Sequence, residues 1–245
     1  MVTIAIDEPS TWPGAVRVLL AWALPPFQHR RLSNGSVDPS LVAQYARELD
    51  QLVANEFIVA YHCTRLTRDE IAVINQEGLR CHDDDAVRER FAVRVQADDL
   101  SAAQAERLLS RRRVRAESGA HDGKLWATLS QHALTEEQGF CNPLMFWGGE
   151  AILELNDDIH SRLATIGTAC IVEFSAPVAR AALSSIGQCM LERFLSLNDL
   201  SADDGSNDVS FDVSIPPEHI RRIVRRADPE FERLTDCSSW DVTVT

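Results

Sequence analysis

No stretch of this chain reaches the roughly 18 to 20 consecutive apolar residues of a membrane helix. The best attempt, Ala15 to Leu24, contains Arg17 and stops at Pro25-Pro26, so no membrane span is expected. The N-terminus lacks a basic region and carries Asp7 and Glu8 where a secretory signal would be apolar, which makes the cytoplasm the expected compartment. Closely spaced cysteines are lacking too. Cys63, Cys81, Cys141, Cys170, Cys189 and Cys237 are scattered, mostly in apolar contexts, and read as reduced core thiols rather than a disulfide frame. No C-x-x-C or H-x-x-x-H occurs, and although His62-Cys63 and Cys81-His82 resemble a metal quartet on paper, adjacent strand residues face opposite ways; no metal is expected. G-x-S-x-G, the P-loop and G-x-G-x-x-G are absent, so a hydrolase elbow, a nucleoside triphosphatase and a Rossmann dehydrogenase lack their central signals.

Lysine is nearly absent as well. Lys124 is the single one, so almost all positive charge is arginine, clustered at Arg107, Arg111, Arg112, Arg113 and Arg115 and again at Arg221, Arg222, Arg225 and Arg226. With a net charge of -13 the whole surface does not attract phosphates. The clusters read first as solvated faces, with local anion binding as the alternative. What is present is core: 245 residues at 45% hydrophobic content are enough for one large domain or two small ones.

Residues 1–38 combine a short alternating start, Val2 to Ile6, with an apolar segment ending at Pro25-Pro26 and a turn-rich SNGS; they read as an N-terminal extension. Pro39 to Asn55 repeats Leu41, Val42, Tyr45, Leu49, Leu52 and Val53 at helical spacing. Helices are predicted over 84–96, 101–113 and 123–138, then a short strand FCNPLMFW, a Gly148-Gly149 turn and a helix from Glu150 towards Gly167. Thr168 to Phe174 is a predicted strand, Gln188 to Leu197 a helix, and Asp208 to Ile215 an alternating strand that Pro216-Pro217 ends before a short helix EHIRRIVRR. No linker is evident, so the expectation is an α+β fold: one domain over 39–245 with a helical insertion at about 84–138.

The richest stretch is Phe57 to Arg80. His62 and Thr64 are two apart, so on a strand they leave the same face and can grip one ligand. Thr67 and Glu70 form a T-x-x-E capping box for the next helix, Ile71 and Ile74 supply its apolar stripe, and Gly78 its stop. Each residue also has a plain structural reading: a histidine satisfied at a strand end, Phe146 and Trp147 as core, Glu150 as a first-turn acid, Asp208 as loop solvation.

The strand YHCT followed by I-x-x-x-x-G-L (Ile74, Gly78, Leu79) resembles the first motif of the ADP-ribosyltransferase superfamily. The resemblance covers about 24 residues, with weaker echoes in FWGGE and in the C-terminal strand-Pro-Pro segment. It implies an ADP-ribosyltransferase-like split mixed sheet, NAD as co-substrate without a metal, and transfer of ADP-ribose to a macromolecular acceptor, protein or nucleic acid, in a toxin or phage-conflict setting. By position His62 and Thr64 would hold NAD, with Arg65 beside them; Phe146 and Trp147 would stack the nicotinamide ring, and Gly148 and Gly149 would let backbone approach it. Cleaving the nicotinamide bond develops positive charge on the sugar, which a fixed carboxylate stabilises. Glu150 is the favoured acid, with Asp208 or Asp212 at the last strand as alternatives, although the family usually carries glutamate there. An RNA 2′-phosphotransferase-like enzyme and a non-catalytic binding module on the same fold are the competing expectations.

Overall fold

The computed structural model describes residues 1–29, 37–81, 83–116, 123–149, 159–182, 184–200, 207–241 and 243–244. Among them the chain runs β1 (Thr3–Ile4), α1 (Gly14–His29), α2 (Pro39–Val53), β2 (Phe57–Leu66), α3 (Arg68–Glu77), α4 (Asp84–Gln96), α5 (Ala102–Ala116) and β3 (Leu125–Thr128). It continues through α6 (Glu137–Met145), α7 (Ile159–Thr165), β4 (Thr168–Pro177), β5 (Ala181–Ala182), α8 (Ile186–Leu197), β6 (Asp208–Phe211), β7 (Ile220–Arg225) and α9 (Pro229–Thr235). The fold is mixed α and β. Its strands form one open seven-stranded sheet in the order β5-β6-β3-β2-β4-β7, with β1 beside β2. β1 pairs with β2 in parallel, Thr3 opposite Phe57, and β4 pairs with β7 antiparallel.

By contacts the chain forms two compact units. The first comprises Met1–Ala60, Ala127–Ser130 and Ser175–Ser210, and is built on α1, α2 and α8. Asp38 caps α2 by accepting from Ser40 N at 2.9 Å, and Leu41, Ala46, Leu49 and Val53 bury its apolar stripe. α8 meets α2 at Gly187, where a Cβ would lie 2.2 Å from Ala46 O, so only a glycine permits the approach. Asp50 of α2 accepts from Ser185 Oγ and Gly187 N, which ties the start of α8 down.

Residues 1–29, read above as an extension, supply β1 and all of α1 to this unit. Their predicted stop at Pro25-Pro26 is corrected: α1 contains both prolines and continues to His29. Phe27 lies fully buried beyond them with its ring 5.5 Å from Tyr45. Burying it contributes about 1.5–3 kcal/mol, which offsets part of the ~3 kcal/mol that each interior proline costs.

The second unit comprises Tyr61–Trp126, Gln131–Phe174 and Phe211–Thr245. Its core gathers Val87 and Phe91 of α4, Leu108 of α5, Trp147, and Ile159 and Leu163 of α7. The predicted 84–96 helix matches α4, and α5 starts within a residue of its predicted start. Three other expectations are corrected. The predicted helix 123–138 is instead β3, a 3-10 turn at His132–Thr135 and the start of α6, because Leu125-Trp126-Ala127-Thr128 pairs beside β2. The predicted strand FCNPLMFW lies mostly in α6; the run is too short for its period to separate strand from helix. The predicted helix EHIRRIVRR is a 3-10 turn followed by β7. There Glu173 of β4, 6% exposed, accepts from Arg222 Nε at 2.6 Å and meets Arg221 Nε at 2.8 Å. A buried carboxylate on β4 therefore draws both guanidinium groups, and the ladder satisfies the strand's backbone.

Candidate functional site

β2 alternates as its period requires. His62, Thr64 and Leu66 line a cavity of about 250 Å³, whereas Cys63 and Arg65 between them do not. α3 continues the wall with Glu70, Ile74 and Glu77, and α4 closes it with Val87, Arg90 and Arg94. The predicted capping box of α3 is present in both halves: Thr67 N donates to Glu70 Oε2 at 2.8 Å and Glu70 N to Thr67 Oγ1 at 3.3 Å. Gly78 ends the helix at φ +90°, with room for no Cβ, since one would stand 2.0 Å from Ile215 O. Leu79 then exchanges two 2.8 Å backbone bonds with Ile215, which pins the chain where it turns towards α4.

Trp126 O can only accept, so the 2.7 Å contact makes His62 Nδ1 the donor and leaves Nε2 as the acceptor nitrogen of the neutral ring. Burial pushes the imidazole down to about 4; the Trp126 bond opposes this and the charge of Arg90 adds to it. The ring is therefore uncharged at neutral pH. Thr64 is 6% exposed, and among the described residues its hydroxyl has only a long 3.5 Å bond to Arg65 O. Such a pair suits a ligand bearing hydroxyl or amide groups.

Glu70 is the electrostatic hub. It accepts from Arg90 Nε and, at 3.1 Å, from Trp147 Nε1, in addition to its capping bond. Burial alone would raise its carboxyl, but the charge and hydrogen bond of Arg90, with Thr67 and Trp147, hold it below the usual range. Arg90 also lies 4.8 Å over the Trp147 ring and donates to Arg65 O. Arg94 is 3% exposed and pairs through Nη1 with Asp99 at 2.9 Å.

Of the residues singled out from sequence, the cavity brings together His62 and Thr64. Arg65 donates to the carbonyls of Ile166, Leu144 and Gly167 at 3.1, 3.2 and 2.8 Å. Trp147 is 1% exposed, packed edge-on to Phe91 in the core, and is not part of the cavity wall; Phe146 packs against the same core and the ring of His160. Gly148 and Gly149 turn the chain at φ +91° and +57°. Asp208 belongs to the first unit, is exposed, has its carboxyl raised by partial desolvation, and is not a lining residue; nor is Asp212. Glu150 lies outside the described residues. Among the described residues no cluster of three or more metal-type ligands occurs, and no helix is long and apolar enough to cross a membrane.

Sequence reasoning read Glu70 only as a cap and passed over Arg90 and Arg94. A signal existed for the last: Val87, Phe91 and Arg94 share the buried stripe of α4, and an arginine at a core position needs a reason. The C-terminal arginines have ordinary ones. Arg221 and Arg222 meet Glu173, Arg225 meets Asp228 and Arg226 meets Glu232. Comparison with family models, curated proteins and solved structures finds no match to this chain.

Proposed function

We propose that the chain is an NAD-binding, ADP-ribosyltransferase-like protein whose ligand occupies the cavity on β2. One observation carries the reading: His62 and Thr64 face a single cavity, and the Trp126 bond sets His62 as a neutral acceptor suited to a ribose hydroxyl. The resemblance in YHCT and Gly78-Leu79 supplies the identity of the ligand and the finer fold, a split mixed sheet. On this reading ADP-ribose passes to a macromolecular acceptor, nicotinamide leaves, and Glu150 is the acid that stabilises the developing sugar cation.

A non-catalytic binding module is the second reading, and a specific observation favours it. The half-buried carboxylate of the wall, Glu70, is already committed to Arg90, Trp147 and the α3 cap. Calorimetry with NAD and chromatographic assay of nicotinamide separate the two. Binding with nicotinamide release, lost in Glu150→Gln and with affinity lowered about three- to tenfold in His62→Ala, supports the enzyme. Binding without release supports the module, and no binding at millimolar NAD removes both.

A further inference from the structure

Arg94 occupies a position that the pattern of α4 assigns to an aliphatic side chain. Its Nη1 serves the fold by bonding Asp99 at 2.9 Å, and its backbone carbonyl accepts from Asp99 N and Leu100 N where the helix ends. Nε and Nη2, on the other edge of the guanidinium, are buried and have no hydrogen-bond partner among the described residues. Leaving two charged donors unmet inside a protein is costly, and closing α4 does not require them. That edge is the fork that takes two oxygens of a carboxylate or phosphate side by side.

The unmet edge of Arg94 is what favours an anion, because the lining as a whole carries four carboxylates against three guanidinium groups. Of the charged lining groups Arg94 is buried and Arg90 and Glu70 are half-buried; Glu70 pairs with Arg90, and Asp99 pairs with Nη1 of Arg94. Asp99, the partner of Arg94, is not a lining residue. The remaining charges, Asp69, Glu77 and the Arg80–Glu89 pair, are exposed at the rim, where water screens them.

We propose that Arg94 provides an anion subsite in this cavity: its Nε–Nη2 edge takes two oxygens of a phosphate or carboxylate carried by the ligand that His62 and Thr64 hold. Because both atoms are buried, occupancy requires the side chain to turn towards the cavity. The inference rests on the cavity being the ligand site proposed above, and does not require the ligand to be NAD.

The test titrates the full chain with inorganic pyrophosphate, malonate, adenosine and NAD, in wild type, Arg94→Lys and Arg94→Gln. Arg94→Lys keeps a cation for Asp99 but loses the fork. The expected result is binding of pyrophosphate or malonate that weakens by about tenfold or more in both variants, with adenosine unchanged; which anion binds tells phosphate from carboxylate. If pyrophosphate binds in an Arg94-dependent way while NAD does not, the subsite stands and the NAD reading falls. If NAD binds wild type and Arg94→Lys equally, the NAD reading stands and the subsite falls. No anion binding to wild type also overturns it. Should neither variant fold, the arginine Nε–H resonances of wild type decide: a shift of a buried guanidinium on adding pyrophosphate or malonate supports the subsite, and unchanged resonances overturn it.

Discussion

At the scale of single residues, His62 makes stability depend on pH. The unfolded imidazole titrates near 6.5 and the folded one near 4, so below pH 6.5 the unfolded chain binds a proton that the folded chain refuses. The contribution is complete above pH 6.5 and is lost as pH falls towards 4, by up to about 3 kcal/mol. Urea unfolding at pH 7 and 4.5 should show a smaller difference in His62→Gln than in wild type; equal differences would clear His62 of this role. Glu70→Ala is expected to cost about 2–4 kcal/mol, since it removes the side-chain half of the α3 capping box and leaves Arg90 with its charge only partly exposed and unpaired. The same denaturation measurement checks it. The cap was legible from Thr67 and Glu70 alone, but the embrace by Arg90 and Trp147 joins residues 20 and 77 positions away, which no local pattern carries.

Elements were read well where one face of one segment determined them and poorly where a neighbour decided. α2, α3 and α4 declare themselves by periodicity and caps, Asp38, Thr67 and Asp83 each accepting from the first turn. β3 and β7 do not, because their segments carry apolar residues at spacings that also suit a helix. The pairing partners β2 and β4 decided the matter. Close packing makes its own demand at the α2–α8 contact: Gly187→Ala puts a methyl 2.2 Å from Ala46 O and 2.7 Å from Asp50 N. Both are backbone, so the helices must part, and a loss of about 2–3 kcal/mol or more is expected in the unfolding free energy. A ΔΔG within about 0.5 kcal/mol would show that the helices are looser than this geometry.

For the whole molecule, the placing of the thiols gives a check on packing. Cys63, Cys170, Cys189 and Cys237 are buried, while Cys81 and Cys141 are partly exposed. Burial raises the Cys63 thiol and pushes those of Cys170 and Cys189 up to about 12, which suppresses the reactive thiolate. A thiol reagent at pH 8 should therefore modify Cys81 and Cys141 rapidly in the native protein and all six after denaturation. Cys81 lines the cavity, so a ligand that fills it should slow that one reaction. Rapid modification of Cys63 in the native state would contradict the packing of β2.

The sequence by itself determined the strand-to-helix unit that carries the cavity. Alternation on β2, the cap at Thr67 and the glycine stop at Gly78 are local constraints, each written within a few residues. Only the tertiary structure decided what faces the cavity from outside that unit. Arg90 and Arg94 come from α4, and Trp147 goes to the core under Phe91 although its sequence context suits a ligand platform equally. The physical reason is that burial and charge pairing depend on distances between segments far apart in the chain. A residue's own neighbours in sequence fix which way it points, but not what it meets there.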